Sequence, residues 1–193
     1  MGPLAYKREE LFTYGDYRTW GDDERWELID GVPYCMSPAP SPRHQILLAD
    51  LVRQFTNYLL GKSCRAIPAP FDVRLVESDE HDDDITTVVQ PDLSIICDRS
   101  RLDGSGYRGA PELVVEILSP GTVQKDLKVK FARYERAGVR EYWIVDPAAK
   151  TVMIFSLGPD GRYGRPSVYL DTDQPQVGIF PDLEINLAAI FAE

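Results

Sequence analysis

The stretch that decides the fold is residues 111–147, PELVVEILSPGTVQKDLKVKFARYERAGVREYWIVDP. It contains two apolar runs, with an amphipathic segment and turn residues between them, a pattern typical of a strand, a helix and a second strand in succession. The predicted elements are a strand over 113–118, a turn over 119–121, a helix over about 123–137 that Gly138 ends, and a strand over 141–145. We expect the rest of the chain to be organised around these elements.

Two charged residues interrupt the apolar patterns of this stretch. Glu116 lies inside the run LVVEIL, where a strand covered on both faces normally carries only hydrophobic side chains. Lys130 shares one helix face with Leu127, Phe131 and Tyr134, because these positions follow the i, i+3, i+4, i+7 spacing of an inward stripe. Buried charges are usually paired or bound to a metal ion, so both residues are candidates for a functional site.

The length and composition are those of an ordinary globular domain. The chain has 193 residues, of which 44% are hydrophobic and 27% charged, and no repeat or linker divides it. We therefore expect one domain, residues 1–193. Residues 1–10 lack an apolar signal core, and no stretch approaches the roughly 18 apolar residues of a membrane span. These features predict a soluble, cytoplasmic protein.

The charge is unevenly distributed along the chain. The formal net charge of -10 argues against a protein that coats nucleic acid without specificity. Residues 77–84, ESDEHDDD, form an acidic run that lacks the spacing of a calcium-binding loop. Residues 121–140 instead carry six basic residues against two acidic ones. The predicted helix is therefore basic within an acidic chain.

The three cysteines, Cys35, Cys64 and Cys97, are widely spaced and include no CxxC pair. Their odd number and their apolar or mixed surroundings favour free buried thiols over a metal or redox role. We therefore predict three free thiols.

A hairpin is predicted near the N-terminus. The pair Asp30-Gly31 between apolar runs is a strong hairpin signal. Strand alternation then places Glu27 and Ile29 on one face of the first strand, with Trp26 and Leu28 on the other.

A long helix is predicted over residues 41–61, with Ser41 as its N-cap, Pro42 in the first turn and Gly61 at the stop. His44 extends its apolar face at the N-terminal end. The other predicted elements are a short helix over 13–20, strands over 71–76, 86–89, 93–97, 151–157 and 167–170, loops over 77–84 and 98–110, and a last helical turn capped by Asn186.

The predicted chemistry depends on Asp92 and Glu116. Each stands in or beside a short apolar strand, and consecutive strands usually neighbour each other, so the two carboxylates can come close together. Two carboxylates in a site of low dielectric repel, so one of them holds a proton or the pair binds a cation. Oxygen ligands select Mg²⁺, Ca²⁺ or Mn²⁺, which suits metal-assisted attack of water on a phosphodiester. A nearby Lys130 would add positive charge where the transition state becomes more negative.

Each candidate residue also has a structural explanation. Asp92 follows a proline and is typical of a turn, Glu116 can form a buried pair with an internal Arg or Lys, and Lys130 can extend its ammonium to solvent. His44 is a general base, a phosphate contact or a hydrogen-bonded residue at the edge of the core. Glu27 is a third carboxylate of the site or an outward-facing hairpin residue.

Three neighbouring residues have similar alternatives. Asp126 and Tyr134 lie four residues before and after Lys130, so they can orient it, or they are an exposed partner and a core aromatic residue. Asp146 before Pro147 favours a turn. The sequence contains no GxSxG, no HExxH and no Gly-rich phosphate loop, so other common hydrolytic sites find no support.

Three segments together carry a resemblance to a known family. They are WELIDGVPYCMSPAPSPRHQ (26–45), QPDLSIIC (90–97) and GAPELVVEILSPGTVQKDLKVKFARYERAGVREYWIVDP (109–147). Over roughly residues 24–157 the sequence resembles the Uma-two family of restriction-endonuclease-like proteins, with EILSP, DxxxKxxxY and GVREYWIVDP as its specific signatures. The resemblance implies the PD-(D/E)xK nuclease superfamily and an α/β (α+β) restriction-endonuclease-like fold, with a central mixed β-sheet flanked by helices.

The resemblance also implies roles for individual residues. Asp92 corresponds to the PD element and Glu116 to the second acidic ligand. The usual strand lysine would stand two residues after Glu116, where this sequence has Leu118. In this family the positive charge is therefore expected from Lys130, in the DxxxKxxxY pattern. Lys128 is the fallback, although helical geometry turns it toward solvent.

The main hypothesis is a Mg²⁺-dependent DNA endonuclease in which Mn²⁺ can substitute. Asp92 and Glu116, with a backbone carbonyl near Ile117, would hold the metal ion. Lys130 would position the water or stabilise the transition state. No organic cofactor is expected.

Glu27 and His44 also lie in contexts typical of the family, and we expect them to be auxiliary catalytic groups. Cleavage of both strands of a duplex usually needs two sites, which predicts a homodimer. The alternative function is a catalytically inactive nuclease-fold binding or assembly module. The acidic net charge and the lack of a recognisable specificity domain would suit that alternative.

Overall fold

The computed structural model describes residues 11–21, 25–36 and 39–192. Residues 1–10, on which the prediction of no signal core was made, lie outside the described residues. The strands are β1 (Trp26–Ile29), β2 (Val32–Cys35), β3 (Arg65–Pro68), β4 (Val73–Arg74), β5 (Val88–Val89), β6 (Leu93–Ile96), β7 (Leu102–Asp103), β8 (Gly106–Arg108), β9 (Leu113–Ile117), β10 (Glu141–Asp146), β11 (Thr151–Ser156), β12 (Ser167–Leu170), β13 (Gln176–Val177) and β14 (Phe180–Glu184). The helices are α1 (Tyr14–Tyr17), α2 (Pro42–Leu59), α3 (Phe131–Ala137) and α4 (Leu187–Ile190), and a π-helical segment (Lys125–Lys130) leads directly into α3.

The stretch 111–147 forms the middle of a six-stranded mixed sheet, which we call the central sheet. Its strand order is β12-β11-β10-β9-β6-β3. Strands β9 and β10 are parallel, whereas the other neighbours are antiparallel. A parallel pair needs a crossover connection, and here the π segment and α3 supply it. The predicted strand, helix and strand are thus confirmed.

Helix α2 covers one face of the central sheet. Its N-cap is Ser41, whose Oγ accepts a hydrogen bond of 3.2 Å from the backbone N–H of His44, as the sequence predicts. The ring of Phe55 packs edge-on at 5.9 Å from the ring of Trp143 on β10. Although α2 has 18 residues, no helix in the described part of the chain is long and apolar enough to cross a membrane.

A second six-stranded sheet, which we call the flanking sheet, packs against the other face. Its strand order is β2-β1-β5-β4-β8-β7. The predicted hairpin is confirmed, since Asp30 and Gly31 both have the positive φ of a tight turn between β1 and β2. Val73 and Val89 of this sheet share a hydrophobic cluster with Ile144 of β10. Strand β9 is therefore covered on both faces.

The predicted helix over 123–137 is present, but its first half has π spacing. A π turn uses i→i+5 hydrogen bonds, so it accommodates an additional residue. Asp126 is only 2% exposed and faces inward with Lys130 and Tyr134, which the i, i+4, i+8 spacing already allows. Leu127, predicted to face inward, is 38% exposed. That part of the prediction is wrong because it assumed α-helical spacing throughout.

Two further segments differ from the prediction. Residues 98–110, predicted as a loop, contain the β7–β8 hairpin, and residues 180–184, predicted without a strand, form β14. The strands predicted over 93–97, 151–157 and 167–170 are confirmed, as is the turn of helix after Asn186. The strand expected over 71–76 is reduced to β4.

The prediction of three free thiols is wrong. Cys64 and Cys97 form a disulfide bond, and Cys35 is free and exposed. Arg65 and Ile96 are opposite each other in the antiparallel pair of β3 and β6, so one further step in the register places the two cysteines opposite each other. Their separation of 33 residues along the chain gives no sign of this pairing.

Candidate active site

A single cleft gathers the residues that the sequence singled out. It has a volume of about 1050 Å³ and lies between the N-terminus of α2, the end of β9 and the π segment. Six of the side chains that line it can take part in catalysis, namely His44, Asp92, Glu116, Lys125, Asp126 and Lys130.

Asp92, which directly precedes β6, comes opposite Glu116 of the neighbouring strand β9. Leu93 of β6 is opposite Val115 of β9, so Asp92 comes opposite Glu116 one step further along this antiparallel pair. The Oδ2 atom of Asp92 accepts a hydrogen bond of 2.7 Å from the backbone N–H of Ile117. The two carboxylates are thus brought to the same end of the sheet, as the sequence predicts.

His44 is tied to Asp92 from the other side of the cleft. Its Nε2 lies 3.2 Å from Asp92 Oδ2, whereas its buried Nδ1 has no hydrogen-bond partner among the described residues. Burial opposes protonation, but the hydrogen bond to Asp92 and the charge of that carboxylate raise the pKa of His44 above its ordinary value. Asp92 therefore orients the His44 ring and favours its protonated form.

Glu116 is 4% exposed and is bound by the helix that follows β9. Its Oε1 accepts one hydrogen bond of 2.8 Å from Lys130 Nζ and one of 2.7 Å from the Tyr134 hydroxyl. Burial raises the pKa of Glu116 to about 8, although the charge of Lys130 opposes this shift. The pairing with an internal lysine, considered above as a structural explanation, is therefore present within the same cleft.

Glu27 lies beneath the cleft and holds two lysines. Its Oε1 is 2.8 Å from Lys130 Nζ and accepts a hydrogen bond of 3.0 Å from the Gln90 backbone N–H. Its Oε2 accepts a hydrogen bond of 2.6 Å from Lys125 Nζ. Although burial opposes the shift, Lys130 and Lys125 lower the pKa of Glu27. The outward-facing alternative is wrong, because the π segment covers this face of β1.

Asp126 is the third carboxylate near Lys130. Its Oδ1 lies 3.8 Å from Lys130 Nζ, and it is buried without a hydrogen-bond partner among the described residues. Burial raises the pKa of Asp126, against the effect of Lys130. A side-chain hydrogen bond with Thr122 also opposes the rise, so Oδ1 is the one oxygen of Asp126 left without a hydrogen-bond partner among the described residues.

Lys130 is at the centre of these carboxylates and is 3% exposed, which excludes the alternative that its ammonium extends to solvent. Burial opposes its charge, but Glu116, Glu27 and Asp126 raise the pKa of Lys130 well above its usual value. Lys130 therefore remains charged.

The donor atoms of the floor suit a hard divalent cation. Four carboxylates, Glu27, Asp92, Glu116 and Asp126, meet only two ammonium groups, Lys125 and Lys130. Mg²⁺ is commonly held by one or two carboxylates together with water and phosphate. Within residues 11–21, 25–36 and 39–192, no group of three or more His, Cys, Asp or Glu side chains could hold a metal ion. Asp92 and Glu116, which come opposite each other across β6 and β9, are the pair of carboxylates that a Mg²⁺ ion with few protein ligands would require.

The structure brings together the five side chains predicted as catalytic, which are Glu27, His44, Asp92, Glu116 and Lys130. The predicted metal-binding residue Ile117 lies beside them, with its N–H bound to Asp92.

Three other candidates lie elsewhere or act differently. Lys128 is exposed, as helical geometry predicts. The Tyr134 hydroxyl binds Glu116, so Tyr134 orients the carboxylate. The Oδ1 atom of Asp146 accepts hydrogen bonds from the N–H groups of Ala148 and Ala149, which is the predicted turn.

Sequence reasoning missed Lys125. It stands five residues before Lys130, and residues at this spacing lie on different faces of an α-helix. The sequence marks Lys125 only as a basic residue next to the DxxxKxxxY pattern. Because residues 121–140 contain six basic residues, this does not distinguish Lys125 from the others.

Comparison with known proteins now identifies the family. The model of the Uma2 family, described as "Putative restriction endonuclease", matches residues 14–188. The chain belongs to the Uma2 family. The resemblance found in the sequence is thereby confirmed.

Two similar proteins extend this result. The "Uncharacterized protein slr1290" of Synechocystis sp. is 26% identical over 151 residues, which are 77% of this chain and 75% of that protein. A crystal structure of a "putative nuclease" of DUF820 from Anabaena variabilis aligns with a TM-score of 0.74 at 18% identity, over 94% of this chain and 98% of that one. The structural match confirms the restriction-endonuclease-like fold.

Proposed function

We propose that this Uma2-family protein is a Mg²⁺-dependent endonuclease of the PD-(D/E)xK type that hydrolyses DNA phosphodiester bonds, with Mn²⁺ able to substitute. The observation that carries the proposal is the placement of Asp92 opposite Glu116, beside the buried Lys130. The description of the matching family supports the same activity.

Asp92 and Glu116 would hold the ion together with the backbone carbonyl of Ile117. A bound ion would polarise a phosphoryl oxygen and lower the pKa of a coordinated water. The excess of carboxylates over ammonium groups, and the lack of a hydrogen-bond partner for Asp126 Oδ1 among the described residues, favour a cation at this place.

The remaining residues would orient the ligands and move protons. Lys130 and Tyr134 both donate to Oε1 of Glu116, so Oε2 is the oxygen with which Glu116 would bind the ion. The Ile117 N–H and His44 fix Asp92. His44 Nδ1 is buried, so His44 would act on the attacking water only through Nε2 and Asp92.

The mouth of the cleft favours a polyanionic substrate. Arg25, Arg43 and Lys150 are among the residues that line the cleft, and Arg25 and Arg43 are exposed to solvent. Arg43 also lies in the first turn of α2, where the helix dipole favours negative groups. A phosphodiester backbone would contact these cations while one phosphate reaches the floor.

Plasmid cleavage tests the proposal. Purified protein should convert supercoiled plasmid to nicked or linear forms with Mg²⁺ or Mn²⁺, and EDTA should stop the reaction. Asp92→Ala and Lys130→Ala should abolish cleavage, and Glu116→Gln should do so with the least change in packing. Asp50→Ala, which removes a carboxylate on the outer surface of α2 paired with Arg53, should cleave as wild type.

Cleavage by the Asp92→Ala protein would remove the site assignment. Circular dichroism shows which variants are folded, so that a loss of activity can be attributed to the site.

One observation favours the alternative, a catalytically inactive nuclease-fold binding or assembly module. Glu116 is already bound by Lys130 and Tyr134, so this part of the cleft is stabilised by its own residues. Calorimetry with Mg²⁺ and Mn²⁺ separates the two functions. An absence of metal binding, with Glu116→Gln more stable than wild type, would favour the inactive module.

We further propose that the protein acts as a homodimer, because cleavage of both strands of a duplex usually needs two sites. Light scattering after size exclusion measures the mass directly. A monomer that linearises plasmid in a single binding event would contradict this part of the proposal.

A further inference from the structure

Two lysines of the π segment bind the same buried carboxylate. Lys125 Nζ lies 2.6 Å from Glu27 Oε2, and Lys130 Nζ lies 2.8 Å from Glu27 Oε1. Five residues of α-helix would rotate two side chains about 140° apart. The π turn, with its i→i+5 spacing, instead places both lysines on one face. The site therefore contains two ammonium groups that differ in their surroundings.

The ammonium of Lys130 is enclosed by protein carboxylates. It lies 2.8 Å from Glu116 Oε1, 2.8 Å from Glu27 Oε1 and 3.8 Å from Asp126 Oδ1, and its side chain is 3% exposed. An ammonium has three N–H donors, and an oxygen of each of these three carboxylates lies within ion-pair distance of it. Lys130 thus has little capacity to contact a substrate.

The ammonium of Lys125 is placed differently. Its side chain is 16% exposed and lines the cleft. Among the described residues its hydrogen-bond acceptor is Glu27 Oε2, and the ring of Tyr34 lies 5.9 Å from Nζ. At least one of its three donors can therefore point into the cleft, which Asp92 and Glu116 also line.

We infer that Lys125 is the residue that contacts the substrate phosphate, and that Lys130 is a positioning residue that fixes Glu27 and Glu116. This inference rests on the proposed function. It assigns the contact with the phosphodiester to Lys125. Lys130, the lysine of the DxxxKxxxY pattern, lies one π turn later and does not make this contact. Glu27 has the role of holding Lys125 at the edge of the cleft.

The test measures phosphate contacts without cleavage. Fluorescence anisotropy gives the affinity for a short labelled DNA duplex in EDTA over a series of salt concentrations, and a gel checks that the duplex stays intact. Each phosphate contact contributes about 0.9 to the slope of log K against log salt. Lys125→Met should lower this slope by about one. Lys125→Arg should restore it, and Lys128→Met, on the exposed side of the π segment, should leave it unchanged.

A second variant excludes a purely structural role for Lys125. If Lys125 only neutralises Glu27, the double variant Lys125→Met/Glu27→Gln should recover the wild-type slope. If Lys125 contacts phosphate, the double variant should have the same reduced slope as Lys125→Met alone. Melting followed by circular dichroism checks that each protein is folded at the assay temperature.

The outcomes separate this inference from the proposed function. An unchanged slope for Lys125→Met, or recovery in the double variant, would overturn the inference while plasmid cleavage by wild type still supports the nuclease. A wild-type protein that neither binds duplex DNA nor cleaves plasmid would overturn both.

Discussion

The charge of Lys130 is held among Glu27, Glu116 and Asp126, out of contact with bulk water. Replacement by methionine keeps most of the side-chain volume but leaves these carboxylates without their shared counter-ion. Breaking a buried ion pair by removing one partner costs about 3–5 kcal/mol. We therefore expect Lys130→Met to lower the free energy of unfolding by about that amount, as measured by urea denaturation.

Two further variants control this prediction. Lys128→Met removes an exposed lysine from the same segment and should change stability by less than about 0.5 kcal/mol. Adding Glu116→Gln to Lys130→Met removes one uncompensated charge and should recover part of the loss. If Lys130→Met were as stable as wild type, the ammonium of Lys130 would make no net contribution to the stability of the buried carboxylates, and the prediction would be wrong.

The residues that sequence could identify are those whose charge contradicts a local pattern. Glu116 and Lys130 interrupt apolar patterns, and Asp92 adjoins an apolar strand, so periodicity alone marks them. The burial of Glu27 could not be predicted, because a hairpin pattern shows which residues share a face and leaves open what covers that face. Lys125 was hidden because its position depends on a π turn.

At the level of elements, the π segment determines the register between Lys125 and Lys130. Deletion of the exposed Lys128 would leave the two lysines four residues apart, and an α-helix places i and i+4 on one face. Insertion of an alanine after Lys128 would leave them six apart, about 240° round an α-helix. We expect the deletion to retain the salt slope of DNA binding and the insertion to lower it.

Lys128→Ala provides the control, since it removes the same side chain and keeps the spacing. Circular dichroism melting accompanies each binding measurement. Loss of binding in the deletion with retention in the insertion would show that the π turn does not serve to align the two lysines.

Elements with long patterns or clear end signals were predictable, and very short ones were not. Helix α2 begins after Ser41 and ends near Gly61 because capping residues mark both ends. Strands of two or three residues, such as β7 and β8, contain too few positions for alternation to be visible. The π segment was predicted in part: the sequence pattern indicated a helix, but it did not indicate π spacing within that helix.

On the scale of the whole molecule, the candidate site lies where the two sheets meet. Glu27 belongs to the flanking sheet, Glu116 to the central sheet, and Lys130 binds both carboxylates. Contacts between residues so far apart in sequence depend on the packing of the sheets. The disulfide between Cys64 and Cys97 depends in the same way on strand pairing. The sequence shows which residues are unusual, and the fold determines which of them meet.

An ion bound at this junction would bind the folded chain and not the unfolded one, so it should raise the melting temperature. At an ion concentration about 100 times the dissociation constant the gain is about 2.7 kcal/mol, which for a chain of this size corresponds to a rise in Tm of about 5–10 °C. Thermal unfolding with and without Mg²⁺ measures this rise, and the Asp92→Asn protein should lose it. Asp50→Asn, on the outer surface of α2, should keep it. An equal rise in the Asp92→Asn protein would place the ion elsewhere, for which the acidic residues 77–84 are the next place to test, and no rise in wild type would contradict metal binding at the cleft.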